Sequence, residues 1–208
     1  QSRLPGVKFF PTTPDVLAPA ALISAPLIDT VLLGQVCDTS VLSKDFKQAL
    51  IAWVAQGHKL IIQDSDACGA SPDYSFLPYR IKTVNPTAAG ANGQARVLED
   101  SRLVSSNKLH SSFIDAKTWK EGPNDLGDSG LIVEYDSHWC GAMWAKNRLQ
   151  KNGFALAYAH YGRGLIVYDG FDYDQVANEV YRKLVAQEMM LPFDADYLFG
   201  DYVCGRMF

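Results

Sequence analysis

The sequence predicts an α/β domain built on a central, largely parallel sheet flanked by helices. Three neighbouring features predict it. An apolar run, Asp29 to Gln35 (DTVLLGQ), is bounded by turn residues; an amphipathic stretch follows; a second apolar run, Lys59 to Asp64 (KLIIQD), closes the unit. Short apolar runs without polar alternation fit strands buried on both faces, as parallel sheets require. Strand, amphipathic helix and strand make a βαβ unit, whose crossover is expected to be right-handed.

Each part of the unit has local support. Ser43 is placed to cap the helix N-terminus. Phe46, Ala49, Leu50, Trp53 and Val54 then fall at i, i+3, i+4, i+7 and i+8, one face of a helix, and Gly57 stands where the helix should end. The lead-in, 1–28, is rich in proline and reads as extended, with one strand at Gly6 to Phe10. The stretch from Ala67 to Gly130 is turn-rich, with short strands expected at Arg80 to Val84 and Arg96 to Leu98; no role is assigned to 71–129. Gly130 to Tyr135 (GLIVEY) is the next strand. Trp139 to Lys151 has no clear period and reads as a helix or a loop. Gly153 to His160 and Leu165 to Asp169 flank Tyr161-Gly162-Arg163-Gly164, the pattern of a β-hairpin. Asp174 to Leu191 carries the rows Val176, Val180, Leu184 and Ala177, Tyr181, Val185, a helix stopped by Pro192. The tail, 193–208, has no periodicity.

With 208 residues the chain suits one domain, 1–208. Its net charge of −4 supplies no basic field for nucleic acid or for an anionic membrane surface. No apolar run reaches the ~20 residues of a membrane helix. The chain starts at Gln1 rather than Met, which fits a chain cleaved after export or a piece of a longer protein.

The layout resembles the class I glutamine amidotransferase-like superfamily. The residues that carry the resemblance are DTVLLG, Trp53 to Gly57 (WVAQG), KLIIQDSDACG, and Tyr161 to Gly170 (YGRGLIVYDG) followed by a closing helix. The YGRG segment looks like the YGxGxxxY hairpin of the trehalose-utilisation-like and other non-amidotransferase branches. The resemblance spans 29–70 and 130–191 and implies a flavodoxin-like, three-layer core. The catalytic positions depart from the family pattern. Asp66-Ala67-Cys68-Gly69-Ala70 lacks the first glycine of Gly-x-Cys-x-Gly, and Ser71-Pro72 follows where a helix should begin. His160-Tyr161-Gly162 lacks the glutamate of His-x-Glu. The resemblance therefore implies a divergent branch without the amidotransferase catalytic set.

Four cysteines occur, Cys37, Cys68, Cys140 and Cys204. Cys37 follows the first strand of the βαβ unit and Cys68 follows the second. Neighbouring strands lie about 4.8 Å apart, within the Cα separation a disulfide tolerates. Cys37–Cys68 is thus the expected bridge, with Cys140–Cys204 by elimination; four cysteines allow three pairings, and sequence does not choose among them. Disulfides imply an oxidising compartment, periplasmic or extracellular. The rival reading makes Cys68 a nucleophile with His160 or His138 as its base. Asp64 and Asp66 nearby would raise its pKa and oppose that role.

Two acidic clusters, Asp64 with Asp66 and Asp169 with Asp172 and Asp174, follow strand ends, where open α/β sheets bind ligands. Were they to converge, a hard cation such as Ca2+ or Mg2+ would neutralise them, through Asp64, Asp66 and Asp172. The plainer reading makes Asp174 a helix cap and Asp172 a loop acceptor, and no cofactor is expected. Trp139 and Trp144 could form a sugar or peptide platform or pack under a loop. The ligand-binding candidates are accordingly Asp64, Asp66, Asp169, Asp172 and Trp139. The sequence reading is a non-catalytic binding or scaffolding domain of an exported, multi-modular protein, whose partners would be other modules of the same precursor or a glycan or protein ligand. The alternatives are a cysteine-dependent hydrolase or amidase and a carbohydrate-interacting domain.

Overall fold

A computed structural model describes residues 28–34, 39–64, 72–84, 96–97, 130–146, 152–170 and 188–189. The chain enters the sheet at β1 (Thr30–Gly34), makes a short 3-10 turn (Thr39–Val41), forms helix α1 (Lys44–Ala55) and returns as β2 (Lys59–Gln63). β3 (Ile81–Val84), β4 (Arg96–Val97), β5 (Leu131–Tyr135), β6 (Cys140–Lys146), β7 (Asn152–Tyr161) and β8 (Gly164–Asp169) follow.

Among the described residues these strands form one eight-stranded mixed sheet of open α/β type, ordered β1-β2-β8-β7-β5-β3, with β6 paired to β7 and β4 to β6. β1, β2, β8, β5 and β6 run in one direction; β7, β3 and β4 run in the other. Neighbours that run parallel are confined to β1-β2-β8. That run holds the βαβ unit read from the sequence.

α1 forms where its pattern places it. The Ser43 side chain accepts from the Phe46 backbone N–H at 3.1 Å, and Phe46, Leu50, Trp53 and Val54 are buried. These four pack in one cluster with Val31 and Leu33 of β1, Leu60 and Ile62 of β2, and Ile166 and Tyr168 of β8. Each such side chain stabilises the fold by about 1.5–3 kcal/mol relative to an exposed one. The opposite face of β2, β8 and β7, with Ile61, Leu165, Val167, Leu156 and Tyr158, is buried as well. Burial on both faces is why β2 and β8 lack polar alternation.

Trp139 to Lys151, read as a helix or loop, contains a strand instead. β6 pairs antiparallel with β7 from Cys140↔Tyr158 to Lys146↔Asn152, with register shifts at Gly141/Met143 and Met143/Trp144. Each irregularity resets which residues face the core, so a period of two never accumulates in the sequence.

The YGRG segment has a structural task. β7 and β8 pair antiparallel up to Tyr161↔Gly164, across the two-residue turn Gly162-Arg163. The turn sits against the C-terminal end of α1. The Arg163 backbone N–H donates to the Ala55 carbonyl at 3.0 Å, and its guanidinium donates to the Gln56 carbonyl at 2.9 Å. Both contacts satisfy carbonyls that a helix end leaves without partners. Gly162 has φ +60°, and a Cβ on Gly164 would lie 1.9 Å from the Val54 carbonyl oxygen. The glycines are there because backbone meets backbone with no room for a side chain.

Gly164→Ala should therefore destabilise the protein by about 3 kcal/mol or more in urea denaturation, since two backbones must separate to admit one methyl group. Gly34→Ala, whose Cβ would meet nothing closer than 3.7 Å, should stay within about 1 kcal/mol of wild type.

Candidate functional site at the carboxyl ends of the parallel strands

The carboxyl ends of β2 and β8 form the rim at which an open α/β sheet binds its ligands. Here the rim is closed by a compact polar cluster. Asp64, one residue past β2, is buried, and the Tyr168 hydroxyl donates to its Oδ2 at 2.8 Å. The Tyr74 hydroxyl bears on the same carboxyl, and its ring meets the Tyr168 ring edge-on, centroids 6.1 Å apart. Gly130, just before β5, lies against both groups: a Cβ there would be 2.8 Å from the Tyr168 hydroxyl and 2.9 Å from Asp64 Oδ2. Gly170, just after β8, closes the other side, where a Cβ would fall 1.9 Å from the Gly130 carbonyl oxygen.

Burial dominates the electrostatics. It pushes the Asp64 carboxyl up to about 6, against the two tyrosine hydroxyls that pull it back. Burial and the neighbouring carboxylate drive the Tyr74 and Tyr168 hydroxyls above their usual range. Tyr168 therefore acts as a hydrogen-bond donor, and neither tyrosine ionises near neutral pH.

Asp64 and Asp169 are brought together in backbone but not in side chain. The Asp64 N–H donates to the Asp169 carbonyl at 2.8 Å. Asp169, however, pairs with Gln63, and paired residues share a face while successive residues alternate. Asp64 thus points to the α1 side of the sheet and Asp169 to the other. Asp66, Asp172 and Asp174 lie outside the described residues. Among the described residues no group of three or more His, Cys, Asp or Glu side chains is placed to hold a metal ion.

Trp139 is a core residue. Its side chain is fully buried within the α1-side cluster, and its indole N–H donates to the Tyr79 carbonyl at 3.3 Å. An enclosed ring cannot serve as an open platform. Only the backbone of Trp144 is described.

The histidines are dispersed. His138 is exposed in the turn between β5 and β6, stacked on Tyr79 at 4.0 Å, with Nδ1 against the Asp136 carboxylate. That contact holds Asp136 below the usual carboxylate range. His160, half-buried on β7, pairs with Leu165 and meets the Tyr158 ring edge-on at 6.1 Å. His58 is half-buried and stacked on Trp53 at 4.1 Å. None of the three contacts the Asp64 cluster.

Cys37, Cys68 and Cys204 lie outside the described residues. Cys140, described at the start of β6, is disulfide-bonded.

The residues that sequence reading missed at this site are Tyr74, Tyr168 and Gly130. Tyr168 carried a weak signal, a hydroxyl inside an otherwise apolar strand (LIVYD), since a buried tyrosine needs a partner. Tyr74 and Gly130 stood in turn-rich sequence with nothing to single them out.

No family model and no curated protein matches the chain. Solved structures similar to it include a catalytic mutant of Gan42B, a GH42 beta-galactosidase from G. stearothermophilus, at 12% identity and a TM-score of 0.45, covering 78% of this chain and 21% of that one. The beta-galactosidase from Rahnella sp. R3 gives 13% identity and a TM-score of 0.43, covering 79% and 23%. The beta-galactosidase from Bacillus circulans sp. alkalophilus gives 12% and 0.40, covering 77% and 22%. The chain thus spans less than a quarter of those chains. Likeness at this level defines neither a shared fold nor a shared activity.

The buried Asp64 carboxyl ties stability to pH. Its folded pKa is about 6, raised above the ordinary 3.8, so its protonated form stabilises the fold below about pH 4 and that contribution is lost as pH rises through about 6. The difference in unfolding free energy between wild type and Asp64→Asn, measured in urea at pH 4 and pH 7, should change by on the order of 3 kcal/mol. An unchanged difference would show a carboxyl that titrates in water.

Proposed function

We propose that the chain is a non-catalytic, amidotransferase-like binding or scaffolding domain of an exported protein, with the flavodoxin-like three-layer arrangement and a β7-β8 hairpin. The observation that carries the proposal is the filling of the carboxyl rim. Tyr168 is bonded to Asp64, Gly130 lies against both, and the Tyr74 ring meets Tyr168 edge-on, at the end of the sheet where a catalytic centre needs a concave space. The imidazoles at His58, His138 and His160 are each engaged with an aromatic ring elsewhere.

The disulfide at Cys140 fits the proposed oxidising compartment. On this reading Cys68 is bridged to Cys37, which adds about 3–4 kcal/mol of stability through loop closure and removes the thiolate a hydrolase would need. The ligand would be another module of the same precursor, or a glycan or protein, met outside the closed rim.

Alkylation of the unreduced protein followed by peptide mass spectrometry tests the reading. The expected result is a Cys68 that reacts only after reduction, and a Cys68→Ala variant that is less stable by about 3 kcal/mol. A Cys68 that alkylates rapidly without reduction would favour the cysteine hydrolase instead.

A further inference from the structure

We draw no further inference here: the strongest candidate, the surface pair of Asp136 and His138 stacked on Tyr79 in the turn between β5 and β6, carries nothing because no third His, Cys, Asp or Glu side chain among the described residues joins it and nothing in the structure shows what it would bind.

Discussion

The junction at the carboxyl end of β8 is the constraint on which the rest of the sheet depends. Four strands meet there through backbone. The Asp64 N–H, at the end of β2, donates to the Asp169 carbonyl at 2.8 Å, and the Gly170 N–H, just past β8, donates to the Ala155 carbonyl of β7 at 2.9 Å. Gly170 and Gly130 lie against each other with no space for a Cβ, which starts β5 beside the end of β8. The parallel run β1-β2-β8 and the antiparallel pairs beyond it are joined at this point. The same contacts fill the rim where a doubly wound sheet leaves a crevice.

Polar groups line the interior on both sides of that junction. On the α1 side, the Tyr168 hydroxyl donates to Asp64; on the other, Lys59, Asp169 and Glu188 are buried. Enclosing ionisable groups costs stability unless partners or protons compensate. Here the Tyr168 hydroxyl donates to Asp64 on one side, and the Lys59 ammonium donates to the Glu188 and Met189 carbonyls on the other. Burial favours the protonated carboxyl of both Asp64 and Glu188, so both make the fold firmer as pH falls. The end of α1 is held differently, by backbone donors and a guanidinium from the turn after β7, and carries no buried carboxyl.

Local pattern made part of this legible. β1, α1 and β2 each announce themselves within a dozen residues, through an apolar run, a capping serine, a 3.6-residue period and a terminal glycine. β6 was not legible because its register shifts against β7 break the alternation that marks a strand. Asp64 and Asp169 do not converge in side chain for a geometric reason: Gln63, not Asp64, is the partner of Asp169, and a displacement of one residue sends a side chain to the opposite face. Lys59 and Glu188 lie far apart in sequence, so no local pattern marks the bond between them. Trp139, singled out for its loop-like surroundings, belongs to the core because the turn beside it brings Tyr79 within reach of its indole.

The closed rim is most directly tested by following the Asp64 side-chain carboxyl carbon by NMR through a pH titration of the folded protein. A midpoint near 6 is expected if Tyr168, Tyr74 and Gly130 exclude water from it. A midpoint near the roughly 3.9 of a solvated aspartate would mean that water reaches the end of β2. The rim would then be open to a ligand, and the case for a domain without a catalytic centre would lose its main support.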